Sequence, residues 1–138
     1  MNWRLEVVVV PVSDVDRAKT FYAEKLGFDL DHDTKISEEF RVVQLTPPGS
    51  GCSIVVGKGL VDMRPGSLKG LQLVVNDIRA ARGWLVERGV EEVGEVQVVG
   101  ASGPRPAREG EELDNVGFVF FSDPDGNGWA VQQISARD

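Results

Sequence analysis

Short apolar runs bounded by turn-forming residues dominate the chain, and only two stretches carry helical spacing. Residues 5–12 include the run Val7, Val8, Val9 and Val10, and this short, β-branched segment predicts a strand buried on at least one face. Ser13 and Asp14 then offer capping oxygens. Val15, Ala18, Phe21, Tyr22 and Lys25 recur at helical intervals before Gly27 ends the pattern, so a helix follows the strand. Further strands are predicted over residues 28–33, 40–45 and 52–56, with Thr46-Pro47-Pro48-Gly49-Ser50-Gly51 as the turn between the last two. The order is βαβββ.

The second half repeats this plan. Val12-Ser13-Asp14-Val15 corresponds to Val75-Asn76-Asp77-Ile78 at an offset of 63 residues, and the same offset pairs Ala18 with Ala81, Phe21 with Trp84, Glu24 with Glu87 and Lys25 with Arg88. Gly27 meets Gly89 after a one-residue slip. Late in each half, Pro47, Gly49, Gly51 and Ile54 correspond to Pro124, Gly126, Gly128 and Val131 at an offset of 77. The extra 14 residues of the second copy (77 less 63) fall between Val93 and Asn115, a stretch rich in glycine, proline and charge that is expected to be loop. One domain over residues 1–138 is expected, with module one at 1–58, a linker at 59–68 and module two at 69–138.

Composition narrows the function classes. A chain of 138 residues with 41% hydrophobic and 27% charged residues has the size and make-up of one domain with its own core. Fifteen basic residues against 22 acidic ones give a net charge of -7, which repels phosphate backbones and anionic lipid, so neither nucleic acid nor a membrane is an expected partner. The valine run lacks the length of a membrane span and the basic flank of a signal peptide. Cys52 is the only cysteine, which excludes an internal disulfide and a thiolate metal cluster, fits a reducing compartment and predicts a cytoplasmic protein.

Val12-Ser13-Asp14-Val15-Asp16-Arg17-Ala18, leading to Phe21-Tyr22 and Leu26-Gly27-Phe28, together with Phe121-Ser122-Asp123-Pro124-Asp125-Gly126-Asn127, resembles the vicinal-oxygen-chelate superfamily. That superfamily includes glyoxalase I, extradiol dioxygenases, fosfomycin-resistance enzymes and bleomycin-binding proteins. The resemblance covers nearly the whole chain and implies an α+β protein of the glyoxalase/bleomycin-resistance fold, in which two tandem βαβββ modules form a cupped mixed sheet that holds the ligand. It also implies a homodimer. Members that use a metal take one ligand from the first and one from the last strand of each module. By resemblance those positions are Val7 and Gly70, five residues before the valine of each Val-x-Asp signature, then Ala130, three residues after Asn127, and Ser53, its repeat partner.

Divalent metals in such sites need imidazole nitrogen or carboxylate oxygen, and valine, glycine and alanine carry no side-chain donor. Neither a metal nor another cofactor is therefore expected. His32, the only histidine, has no second histidine to help it, and Glu6 beside Val7 should point to the opposite face. Strand alternation from the four positions lines the cup with Val7, Val9, Ser53, Val55, Gly70, Gln72, Ala130 and Gln132, with Arg41 and Gln44 adding polar contacts from a middle strand. Alternation leaves open whether Phe118 and Phe120, or Val119 and Phe121, share that face. Such a surface suits an apolar or aromatic molecule oriented by amides. The leading reading is a metal-independent small-molecule binding protein. Two alternatives are a metal-free lyase, isomerase or cyclase using Asp31, Glu39 or Glu111 as general base, and a metal-dependent glyoxalase or dioxygenase with displaced ligands. Asp123-Pro124-Asp125-Gly126-Asn127 lacks the spaced oxygen ligands of a calcium loop and is expected to be a hairpin turn.

Overall fold

The structure, a computed structural model, describes residues 1–136. The chain forms two compact units, one of Met1–Leu68 with Asp123–Asn127 and one of Lys69–Ser122 with the chain from Gly128 onward.

In the first unit, β1 (Val7–Val9) leads to α1 (Val15–Thr20), β2 (Asp29–Lys35), β3 (Arg41–Thr46) and β4 (Ser53–Lys58). The sheet order is β1-β4-β3-β2, with β1 parallel to β4 and the other neighbours antiparallel. β1 is shorter than the predicted segment: Leu5 and Glu6 are exposed, and Pro11 lacks the N–H that would prolong the pairing. The helix begins where the capping oxygen predicts, with the Asp14 carboxylate accepting the Arg17 N–H at 3.0 Å. It does not stay regular to Gly27. Residues Phe21–Lys25 form a wider π-helical turn in which the Leu26 N–H reaches the Phe21 carbonyl at 3.0 Å, and Gly27 then leaves it with φ of 73°. Ala18, Phe21, Tyr22, Leu26 and Phe28 are buried, as are Val43, Leu45, Ile54 and Val56 on one face of the sheet, and α1 packs on β4.

The turn Asp123–Asn127 joins this unit through a buried polar knot. The Asp123 carboxylate, 5% exposed, accepts the Tyr22 hydroxyl at 2.7 Å, the backbone N–H groups of Asp125 and Asn127 at 3.0 and 2.9 Å, and the Asn127 side-chain amide at 2.8 Å. Asn127, fully buried, also donates to the Pro11 carbonyl at 2.8 Å and accepts the Leu68 N–H at 3.1 Å. Ser13 binds Asp125 through its hydroxyl at 2.6 Å and its N–H at 3.1 Å. Only glycine fits at residue 66, which has φ of 80° and whose added Cβ would lie 2.0 Å from the Asp125 carbonyl oxygen.

The second unit contains β5 (Leu71–Val75), α2 (Ile78–Glu87), β6 (Gln97–Gly100), β7 (Gly103–Pro106), β8 (Gly117–Ser122) and β9 (Gly128–Gln133). Its sheet runs β5-β9-β8-β6-β7, with β5 parallel to β9. Asp77 caps α2 as Asp14 caps α1, accepting the Ala80 N–H at 3.1 Å. Ile78 and Leu85 of α2 are buried with Val119, Phe121, Trp129 and Val131, α2 packs on β8 and β9, and the Phe121 and Trp129 rings stack with centroids 6.2 Å apart. The expected loop between Val93 and Asn115 instead contains the hairpin β6–β7. Its prolines are compatible with a strand because β7 is an edge. The Ala107 N–H points inward to the Val96 carbonyl at 3.0 Å, so by alternation Pro104 and Pro106 turn their missing donors outward. Among the described residues, no helix is long and apolar enough to cross a membrane.

Removing the carboxylate from the knot strands several buried donors. Asp123→Ala should therefore lower the free energy of unfolding in urea by about 3 kcal/mol, and Tyr22→Phe by about 1–2 kcal/mol. Losses below about 0.5 kcal/mol in both variants would contradict the role assigned to the knot.

Candidate functional site

The second sheet carries a face with no helix on it. Register places Gln72 opposite Ala130, Val74 opposite Gln132, Phe120 opposite Ala130 and Phe118 opposite Gln132, so these six side chains share the side turned away from α2. This settles the parity that the apolar run Phe118 to Phe121 left open. Val119 and Phe121 are core, whereas Phe120 and Val74 are each 41% exposed. The Phe118 and Phe120 rings are nearly parallel, at 7° with centroids 6.0 Å apart. Beside them Gln72 Nε2 donates to Gln132 Oε1 at 2.6 Å, and Gln132 Nε2 donates to the Asn115 carbonyl at 2.8 Å. The result is an aromatic platform edged by a hydrogen-bonded pair of neutral amides.

On the first sheet, Val7 stands opposite Ser53, and Val9 and Gln44 opposite Val55, so Val7, Val9, Gln44, Ser53 and Val55 share one face. A β-bulge adds a carboxylate there. Leu30 lies opposite Leu45 and His32 opposite Gln44, which leaves Asp31 as the extra residue, and its carboxylate accepts the Thr46 hydroxyl. Thr46 Oγ1 in turn lies 2.6 Å from Ser53 Oγ. Since Thr46 directs its single proton to Asp31, Ser53 is the donor to Thr46, and the remaining lone pairs of Ser53 Oγ are acceptors.

Two residues read into the site lie elsewhere. Arg41 lies opposite Lys58, out of phase with Gln44, and its guanidinium binds Asp33 at 2.7 and 3.0 Å and Asp16 of α1 at 2.9 Å. It ties strand to helix on the face away from Val7 and Ser53. Gly70 precedes β5, with φ of 91° and open space where a Cβ would stand. The residue across from Ala130 is Gln72, so Val7 and Gln72, 65 residues apart, are the register equivalents, against the offset of 63 taken from the helix caps. Of the carboxylates considered as bases, Glu39 is exposed between β2 and β3. Glu111 is held by Arg105, whose hydrogen bond pulls its carboxyl down to about 2. Asp31 alone among them stands beside Ser53.

The donor chemistry does not fit a metal. Val7 and Ala130 offer no side-chain donor, and their register partners Ser53 and Gln72 offer only a neutral hydroxyl and a neutral amide oxygen, which are poor ligands for a divalent transition metal. Among the described residues, no group of three or more histidine, cysteine, aspartate or glutamate side chains could hold a metal ion.

Two mixed sheets of four and five strands, each with a helix between its first strand and the rest, define the α+β class of tandem strand–helix–sheet modules. A profile of the Glyoxalase/Bleomycin resistance protein/Dioxygenase superfamily matches residues 4–131, and the chain belongs to that superfamily. TnmS3, described as an antibiotic binding protein from Streptomyces sp. CB03234, is 36% identical over 97% of this chain and 98% of its own, with a TM-score of 0.72. A glyoxalase/bleomycin resistance protein from the same organism is also 36% identical, over 94% of this chain and 100% of its own, with a TM-score of 0.68. A superfamily member from Sphaerobacter thermophilus DSM 20745 is 27% identical over 96% and 98% of the two chains, with a TM-score of 0.75. A search of curated proteins finds no match.

Arg41's structural role is measurable by titration. The Arg41 hydrogen bond, with that of Lys19 second, holds the Asp33 carboxyl well below its ordinary value of 3.8. Carboxylate NMR of Arg41→Gln should show Asp33 titrating upward toward that value. A depressed carboxylate stabilises the fold above its unfolded pKa and loses that contribution as pH falls through the folded one. The parent should therefore shed this share of stability progressively as pH falls below about 4, whereas the variant lacks most of it already at neutral pH and should show a flatter stability profile over the same range. An unshifted Asp33 would count against the pairing.

Proposed function

We propose that this protein is a metal-independent binder of an apolar or aromatic organic molecule, which lies on the exposed face of the second sheet. The observation that carries the reading is the stacked Phe118–Phe120 pair, with Phe120 exposed and Phe118 half-buried, next to the small side chain of Ala130 and the amides of Gln72 and Gln132. A flat ligand over Phe120 removes apolar surface from water at about 25 cal/mol per Å² and adds about 0.5–1.5 kcal/mol of ring–ring interaction. Neutral amides orient such a ligand without the cost of burying a charge. The description of TnmS3 as an antibiotic binding protein, at 36% identity over nearly the whole chain, supports the same reading. The lack of side-chain donors at Val7 and Ala130, with only neutral groups at Ser53 and Gln72, supports binding without a metal. The reducing compartment implied by a lone cysteine supports a cytoplasmic location.

A thermal-shift screen of polycyclic aromatic compounds, run with and without Zn²⁺, Ni²⁺ and Mn²⁺, tests the proposal. Hits should raise the melting temperature equally in both conditions, and elemental analysis should find no stoichiometric metal. Phe120→Ala should weaken a hit about tenfold, and Ala130→Phe, which fills the space beside the platform, should abolish binding with the circular dichroism spectrum unchanged. Metal at one per chain, or hits that need it, would overturn the reading.

We also propose a homodimer, which is the assembly implied by the superfamily. Light scattering at micromolar concentration should give twice the 15.0 kDa chain mass. A mass of one chain would refute it.

A further inference from the structure

We infer that Gln72 is the specificity-determining acceptor of this face, and that its ligand is a flat aromatic molecule bearing a hydrogen-bond donor, such as a phenol or an aryl amine. The inference rests on the proposed binding reading and deepens it. It comes from the direction of the hydrogen-bond chain, which the chemistry of its anchor dictates. The chain is anchored on the Asn115 carbonyl, a main-chain group that only accepts. Its position is fixed, because the Asn115 N–H donates to the Gln133 carbonyl at 2.7 Å and the residue holds φ of 69° at the entry to β8. Gln132 must turn its NH₂ toward that carbonyl, and it does so at 2.8 Å. Its oxygen then faces Gln72, which must answer with its own NH₂, at 2.6 Å. The Gln72 oxygen is left at the free end, with neither lone pair engaged among the described residues, on an exposed residue whose strand neighbour on the same face is Val74. Flipping either amide would set oxygen against oxygen or NH₂ against NH₂, so the backbone at Asn115 dictates which atom Gln72 presents, with Gln132 as the positioning residue.

The test uses two probes of similar shape and opposite capability, 1-naphthol, which donates, and 1-methoxynaphthalene, which cannot. Their affinities for the full chain at pH 7 are measured by ¹H–¹⁵N chemical-shift titration, which also reports where each binds. In the parent protein, 1-naphthol should bind about fivefold more tightly, with shifts centred on β5, β8 and β9. Gln72→Met, which keeps the length and removes the acceptor, should bring the ratio to about one. Gln132→Met leaves Gln72 intact but frees its amide to rotate, and should reduce the ratio by at least half. Phe120→Ala should weaken both probes alike. If both probes bind, both are weakened by Phe120→Ala and the parent ratio is one, the acceptor assignment is wrong while the aromatic platform stands. A ratio lost in Gln72→Met but unchanged in Gln132→Met overturns the positioning role. If neither probe binds at millimolar concentration, or Phe120→Ala changes neither affinity, the platform and the acceptor fall together.

Discussion

A buried carboxylate at residue 123 constrains more of this protein than any other single group. Its donors come from widely separated parts of the sequence, Tyr22 on the helical segment and the backbone and amide of its own turn, and Asn127 extends the network to Pro11 and Leu68. An ionised group at 5% exposure is tolerable only when its lone pairs are satisfied together, so the turn has very little freedom to shift. That rigidity propagates along the strands it joins. The turn fixes Ser122 opposite Gly128, and from there Phe120 opposite Ala130 and Phe118 opposite Gln132. A slip of one residue would send the phenylalanines under α2 and bring Val119 and Phe121 to the surface. The chemistry of the exposed face is thus a remote consequence of a hydrogen-bond network that takes no part in it.

The two sheets share a way of orienting neutral polar groups. On the first, the anchor is the Asp31 carboxylate, which directs Thr46 and through it Ser53. On the second, it is the Asn115 carbonyl, which directs Gln132 and through it Gln72. Each anchor can only accept, so each chain of donors runs toward it and ends in an unengaged oxygen. A serine and a glutamine, residues that could otherwise present either a donor or an acceptor, are each given a preferred sense by the group at the far end of their hydrogen-bond chain.

Much of this was legible in the chain itself. The repeated caps at Asp14 and Asp77 and the strand–helix–strands plan of each half follow from spacing and side-chain chemistry that strand and helix geometry obey directly. What escaped has identifiable reasons. Phe118-Val119-Phe120-Phe121 is apolar throughout, so alternation carries no phase, and only pairing with β9 supplies it. Arg41 was set on the wrong face because the bounds of β3 do not reveal which of its residues align with Val55. Asp31 reached the Ser53 side by a bulge, an insertion that no local pattern announces. Gly70 was misplaced because the helix caps and the strand register of the two halves differ by two residues. The hairpin β6–β7 was hidden by its composition, since glycine and proline argue against a strand unless that strand is an edge.

That edge has a practical consequence. The outward positions of β7 are Pro104 and Pro106, so the border of the second sheet offers a neighbouring chain no amide hydrogens at those points. Pairing between sheets of two chains needs a run of outward donors and acceptors, and along β7 the donor half of that run is interrupted at every second residue. The two prolines therefore blunt this border against edge-to-edge association, while the hairpin keeps its full inward pairing to β6.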